Sequence, residues 1–377
     1  MLIELYIFAV VIIAYGLFTT LAVMGFNRLK RELPSTDVNL NPTFISIVLS
    51  ARNEANTIER CLEQIIKQQF PTTHFEVILI DDASEDATYQ MANTIFKKST
   101  LQFQVIKESV HQGKKKNIAK AISLAKGAII VTTDADVVFR FSNWLSTIST
   151  YFEMYNPAML VMPIDFETES GLLPMFQIIE NAALTVITAG YVGIQRPFMC
   201  NGANLAFKKS AYELVNGYQS HLYMSSGEDV FLMEAIKKVN PRGIHYILSR
   251  ALIVKTKAQT NFRGFFNQRI RWAYKAKYNS NFLNLSAGFM VMMANLLMLA
   301  FFMSIINKSV IMPYLSIFVL SKFVFDFLLL FLASDYLGRL KYLGWMIPFQ
   351  CIYWIYALAI GICSLFIKPY WKDKKIN

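Results

Sequence analysis

Asp134 and Asp136 stand either side of Ala135, directly after the apolar run 128–133. Asp81 and Asp82 follow a second apolar run, 75–80, and Arg52, Asn53 and Glu54 follow a third, 44–50. If these runs are neighbouring strands, five carboxylates and one arginine gather at one edge. Like charges repel, and burial adds a desolvation cost, so such a cluster calls for a counter-charge. A divalent cation bound by oxygen ligands meets that need. Each piece has an ordinary alternative. Asp82 and Ser84 could cap the next helix, and Asp134-Ala135-Asp136 could be a turn. Taken together, three acidic strand ends favour a ligand site. Glu228 and Asp229 precede an apolar-periodic run (Leu232, Ala235, Ile236, Val239). Acids there suit a helix N-terminus, and a carboxylate near a hydroxyl could take its proton. His74, His111, His221 and His245 are scattered and show no metal spacing.

The elements that must hold these residues can be read from the pattern. Strands are expected at 44–50, 75–80, 102–106 and 128–133, with helices at 55–68, 84–97 and 114–126. Strand–helix alternation with continuous apolar strands predicts an α/β fold with a mainly parallel central sheet. Ligands of such sheets gather at the carboxyl ends of the strands, where the acidic residues lie.

The rest of the chain is less polar. Of 377 residues, 54% are hydrophobic and 17% charged, and Lys plus Arg exceed Asp plus Glu by 37 to 26, a net charge of +11. A charged fraction below the ~25% of soluble domains, with a mean hydropathy of +0.36, argues against a wholly soluble chain and excludes a disordered one. Residues 5–26 carry no charge and exceed the roughly 20 needed to cross a bilayer. Arg28, Lys30 and Arg31 follow at once. That order fits an uncleaved anchor with the next segment cytoplasmic. Further apolar runs occupy 285–306, 311–334 and 342–367. Lys322 and Asp326, four apart in the third, can pair, either as a polar site within the membrane or as a local pair near an interface. If all four runs cross, the C-terminus lies outside, against the preference of Lys368, Lys372, Lys374 and Lys375. Residues 171–193, broken by Gln177, Glu180 and Asn181, suit an amphipathic helix on a membrane surface or a buried core helix. The basic residues sit beside apolar segments, so membrane lipids are the expected partner and nucleic acid is not. Cys61, Cys200, Cys351 and Cys363 show no metal spacing and read as free thiols.

Six blocks in order resemble the family-2 inverting glycosyltransferases with a GT-A nucleotide-sugar domain, in their integral-membrane, cellulose/chitin/hyaluronan-synthase-like branch. Ser50-Ala51-Arg52-Asn53-Glu54 is similar to P-x-x-N-E, with Ser for Pro. Ile80-Asp81-Asp82-Ala83-Ser84 is similar to D-D-G-S, with Ala for Gly. Gly113-Lys114-Lys115-Lys116-Asn117 loosely resembles G-K-x-x-A-x-N. Asp134-Ala135-Asp136 is a full D-x-D. Gly227-Glu228-Asp229 resembles T-E-D with Gly for Thr, and Gln268-Arg269-Ile270-Arg271-Trp272 matches Q-x-x-R-W.

The resemblance implies a GT-A catalytic domain at 43–260. A transmembrane anchor (1–27) and a linker (28–42) precede it. An interfacial Q-x-x-R-W helix region (261–283), transmembrane segments (284–368) and a basic tail (369–377) follow. It implies a membrane-bound transferase, its catalytic domain cytoplasmic, moving a sugar from a UDP- or GDP-linked donor to a lipid-linked or glycan acceptor. It assigns Mg2+ or Mn2+ to Asp136 and Asp134, and the donor to Ala51, Arg52, Glu54, Asp81, Asp82, Lys114, Asp134 and Arg271. Asp229 becomes the base with Glu228 beside it, and Gly202, Gln268 and Trp272 meet donor sugar or acceptor. Lys115 and Lys116 read as a solvated helix start, Cys200 as a buried apolar thiol, and Arg263, Arg269, Lys275 and Lys277 as basic residues of a membrane border. Processive polysaccharide synthesis is the nearest alternative. A nucleotidyltransferase would need a Gly-rich phosphate loop near the N-terminus, and a non-catalytic membrane scaffold or transport component would not need the acidic set.

Overall fold

The computed structural model describes residues 2–29, 42–167, 170–218, 227–276, 281–368, 370–371 and 374–375. Most of the expected linker and tail, His221 and Lys277 lie outside them. The chain forms two units. One is α/β (29–167 and 199–257) and the other helical (1–28, 168–198 and 258–377).

Among the described residues the α/β unit has ten strands: β1 (Ile45–Ala51), β2 (Phe75–Asp81), β3 (Gln102–Lys107), β4 (Ile129–Thr133), β5 (Val138–Phe139), β6 (Met159–Val161), β7 (Ile164–Phe166), β8 (Asn204–Lys208), β9 (Ile244–Tyr246) and β10 (Val254–Thr256). Seven make one sheet in the order β3-β2-β1-β4-β8-β6-β9. β3, β2, β1 and β4 run parallel, whereas β8 is antiparallel to both β4 and β6. Apolar side chains on both faces bury β2 and β4 completely and β1 nearly so, as expected of strands covered by helices. The chain winds outward from β1 to β2 and β3, then crosses back to β4, so the switch point lies between β1 and β4. β5, β10 and β7 form a small second sheet. The helices at Ile58–Ile66, Thr88–Lys97 and Lys114–Leu124 begin at or after the expected starts. Residues 55–57 and 84–87 are spent in turns that carry polar contacts.

In the helical unit, five helices among the described residues are long and apolar enough to cross a membrane: Ile3–Arg28, Leu172–Gly193, Phe282–Ile306, Met312–Leu337 and Leu340–Phe366. A shorter helix, Phe262–Ala276, carries Q-x-x-R-W. Leu172–Gly193 suits either a helix with an exposed polar face or a buried one, and the polar side chains that would make such a face are not free. Instead, Gln177 is buried, donating to the carbonyls of Leu173 (3.2 Å) and Gln259 (2.8 Å), and Glu180 pairs with Arg269. Lys322 and Asp326 do pair, at 2.5 Å and buried. Tyr15 and Gln350 also donate to the Asp326 carboxylate, which joins three helices in one polar node.

The first helix meets Leu172–Gly193 through small residues. A Cβ at Gly190 would lie 2.0 Å from the Ala22 carbonyl oxygen, and one at Gly25 would lie 1.8 Å from that of Gly190. No side chain fits such a backbone approach. Gly190→Leu should therefore cost at least about 3 kcal/mol by overpacking. Gly288→Leu is the control, because a Cβ there meets nothing within 4 Å. Thermal unfolding of both variants in detergent checks this; equal midpoints would refute the close-packing account.

Candidate active site

The register of β1 on β2 pairs Ala51 with Asp81, bringing the first two acidic loops level. Asp82 donates its N–H to the Ala51 carbonyl at 2.8 Å. Asn53 N–H donates to Ser84 Oγ (3.0 Å), and Asn53 Oδ1 accepts from Glu85 N–H (3.0 Å). Glu54 N–H donates to Thr88 Oγ1 at 2.8 Å, while its carboxylate accepts from Thr57 Oγ1 at 2.8 Å. Arg52 reaches the Asp82 carbonyl at 3.4 Å and Glu85 at 3.7 Å. Ala83 holds φ +55°, a left-handed conformation that costs an L-residue roughly 1–2 kcal/mol. That backbone explains why glycine suits this place in D-D-G-S.

The two aspartates at the end of β2 differ in their surroundings. Both are buried. The Asp82 carboxylate accepts from the backbone N–H groups of Gln112 (2.7 Å) and Gly113 (3.1 Å), and His111 Nδ1 lies 2.6 Å away. Asp82 therefore anchors the turn that starts the Lys114–Leu124 helix. His111, one of the scattered histidines, is its partner, a role that no sequence spacing signalled. Asp81 Oδ2 accepts from Ser84 N–H at 3.2 Å, but Asp81 Oδ1 has no hydrogen-bond partner among the described residues.

Lys114 projects from the start of its helix to Asp134 Oδ1 at 2.5 Å and Glu228 Oε1 at 3.7 Å. Burial works against its charge, but Asp134, Glu228 and then Asp229 outweigh it and hold the ammonium above its ordinary range. Lys115 corrects the expectation of a solvated helix start. It is buried, its ammonium 5.8 Å from the Phe231 ring centroid, because it shares a helix face with buried Ile118 and Ile122. Lys116 is exposed.

Asp134 and Asp136 leave the end of β4 together. Thr256 of β10 donates to Asp136 at 3.2 Å, a contact made by the small second sheet and invisible in sequence. Burial, then the carboxylates of Asp134 and Glu54, push Asp136 up to about 6, against the Thr256 hydrogen bond. Cys61 Sγ lies 3.7 Å from the Asp134 carbonyl oxygen. Burial, then the carboxylates of Asp136, Asp134 and Glu54, push its thiol well up, leaving it a buried filler. Among the described residues no group of three or more His, Cys, Asp and Glu side chains surrounds one point. Two carboxylates still suit Mg2+ or Mn2+, which take one or two protein carboxylates and complete their shells with water and substrate phosphate. The raised Asp136 marks excess negative charge that a cation would relieve.

The pairing of Thr133 with Asn204 sets residues 201–203 beside the end of β4. Thr132 Oγ1 donates to the Gly202 carbonyl at 2.9 Å. Gly202 N–H donates to Asp229 Oδ2 at 2.8 Å, and a Cβ at Gly202 would meet Asp229 Cβ at 3.3 Å. Cys200 is half-buried rather than fully buried. Glu228 and Asp229 open the Glu228–Val239 helix. Gly227, standing where T-E-D has Thr, holds φ +95°, a backbone that glycine adopts freely. One edge of the sheet thus gathers Asp134, Lys114, Glu228, Asp229 and Gly202 in a linked chain of contacts, with Asp136 two residues beyond Asp134 and Asp81 at the end of β2, one strand away across β1. Gln268, Arg271 and Trp272 lie on Phe262–Ala276, in the helical unit. Arg269 departs from the membrane-border expectation: it is buried, because Glu180 neutralises it.

Residues 46–215 match the family model for Glycosyl transferase family 2. Glycosyltransferase AglE of Haloferax volcanii is 29% identical over 93 residues, 25% of this chain and 30% of that protein. The probable glycosyltransferase YdaM of Bacillus subtilis is 24% identical over 269 residues, 66% of this chain and 59% of that protein. The match thus spans from about a third to three-fifths of these relatives' lengths. The mannosyltransferase PcManGT of Pyrobaculum calidifontis, solved with GDP-Man and Mn2+, superposes with a TM-score of 0.54 over 96% of this chain and 99% of that one, at 18% identity. That likeness bears on fold alone. The sheet order and these matches agree on a GT-A-like α/β fold with a mostly parallel central sheet, whose residues 46–215 are similar to the glycosyl transferase family 2 model.

Proposed function

We propose that the protein is a membrane-bound inverting glycosyltransferase that moves a sugar from a UDP- or GDP-linked donor to a lipid-linked or glycan acceptor. One observation carries this reading: Lys114 ties Asp134 of the D-x-D turn to Glu228, and Asp229 beside it is held by Gly202. Metal-side and base-side groups are thereby linked.

The acceptor hydroxyl attacks the anomeric carbon opposite the diphosphate. A new oxygen–carbon bond forms, the bond to the diphosphate oxygen breaks, and Asp229 takes the hydroxyl proton. Mg2+ or Mn2+, held by Asp134 and Asp136, would neutralise charge growing on the leaving diphosphate. Lys114 adds a fixed positive charge and orients Asp134. Asp81 Oδ1 is the carboxylate oxygen open to a nucleoside N–H or hydroxyl, whereas Asp82 is committed to the 111–113 turn.

Helix length and composition support membrane residence, and the bases after the first helix favour a cytoplasmic α/β unit.

The deciding experiment incubates purified full chain in nanodiscs with a panel of UDP- and GDP-sugars and Mg2+ or Mn2+. Nucleoside diphosphate should be released from one donor. No release from any donor would defeat the proposal. The Q-x-x-R-W motif favours a second reading, processive polysaccharide synthesis, which product-length analysis would distinguish.

A further inference from the structure

Phe262–Ala276 bears the Q-x-x-R-W residues, yet its most enclosed polar side chain is Arg269, which the motif leaves unspecified. Arg269 is 3% exposed. Its Nε and Nη2 both donate to Glu180 Oε2, at 2.8 and 2.5 Å. The other oxygen, Oε1, accepts from Tyr356 OH at 2.6 Å. One carboxylate on Leu172–Gly193 therefore joins that helix to Phe262–Ala276 and Met346–Phe366. An aromatic cluster of Phe176, Phe265 and Phe349 surrounds the junction and keeps its dielectric low.

Arg269 also holds two residues of the motif. Its Nη1 donates to Gln268 Oε1. Its guanidinium lies over the Trp272 ring, 4.3 Å from the centroid, and over Phe265 at 4.7 Å. A planar guanidinium can stack on an indole and donate in its own plane at once, and lysine cannot. The ion pair therefore fixes the Arg269 plane, and that plane fixes the Gln268 amide and the Trp272 ring. Replacing a buried ion pair by apolar residues of similar volume commonly leaves stability intact. A bidentate arginine is thus a choice that stability does not require.

We propose that Arg269, clamped by Glu180, is a positioning residue that orients Gln268 and Trp272 for sugar transfer. This rests on the reading that Gln268 and Trp272 serve the transfer.

The test compares the full chain in nanodiscs with the double variant Glu180→Leu/Arg269→Met and with Arg269→Lys. The first readout needs no substrate. Emission from Trp272, taken as the difference from the Trp272→Phe version of each chain, should shift to the red and be quenched more strongly by acrylamide in both variants. The second readout is incorporation of labelled sugar in host membranes containing each chain. At an unchanged melting midpoint, kcat should fall about tenfold to a hundredfold, with donor KM within about twofold. Arg269→Lys should not restore kcat, since it keeps the charge without the plane. Wild-type emission and kcat in the double variant would overturn the proposal. If that variant fails to fold, Arg269→Lys decides by the same criteria. If the wild type incorporates no sugar from any donor, the glycosyltransferase reading fails, and Trp272 emission still decides whether Arg269 orients the ring.

Discussion

Asp229→Asn should lower kcat about 10³-fold, within the 10²–10⁴-fold range of general-base catalysis, and leave donor KM within about threefold. Asn keeps the shape of the carboxylate and an oxygen to accept from Gly202 N–H, now 2.8 Å from Asp229 Oδ2. The fold should therefore survive while the proton acceptor is lost. Loss confined to kcat is the mark of an interaction made in the transition state. Glu228→Gln is the companion. Glu228 is buried and 3.7 Å from Lys114, so its loss should unsettle the lysine and raise donor KM as well. Initial rates against donor concentration separate the two. A kcat for Asp229→Asn within tenfold of wild type would remove Asp229 as the base.

Asp136→Asn should abolish metal-dependent turnover, by at least about 10²-fold, while making the metal-free chain no less stable. The sign follows from its surroundings. Asp136 is raised from 3.8 to about 6, chiefly by burial and then by Asp134 and Glu54. The folded chain holds this proton more tightly than the unfolded chain does. The stabilisation is full below 3.8 and is lost as pH rises through about 6. At pH 7 the ionised group works against folding, and a neutral isostere relieves on the order of 1–3 kcal/mol. Thermal unfolding in EDTA at pH 7 should give a midpoint at or above that of wild type. With Mn2+ the order should reverse, because only wild type gains binding energy. A variant that is destabilised in EDTA would show that Asp136 is held by protein partners and is not a site awaiting a cation.

Much of the α/β unit was legible because its information is local. Continuous apolar runs set β1, β2 and β4, and the acids at their ends follow directly from the chain. The departures from the family blocks were visible as letters, but their meaning was not. Ala83 for Gly and Gly227 for Thr became intelligible only through positive φ at both positions. Asp81 and Asp82 are adjacent and chemically identical. Only the path of the 111–113 turn decides that Asp82 is an anchor and that Asp81 keeps an oxygen open. Arg269 misled for a related reason. A basic residue near apolar helices suits a membrane border, and its partner Glu180 lies 89 residues earlier.

The sequence by itself determined which carboxylates end strands, four of the five helices long and apolar enough to enter a bilayer, and the order of the motif blocks. These depend on side-chain type and short spacing, which strand and helix geometry reads directly. Tertiary structure alone decided the partners: Lys114 with Asp134 and Glu228, Thr256 with Asp136, Gly202 with Asp229, and Glu180 with Arg269. Each contact closes a long loop, and a polar group in the interior takes whichever counter-charge the packed backbone brings within reach, not one prescribed by its neighbours in the chain.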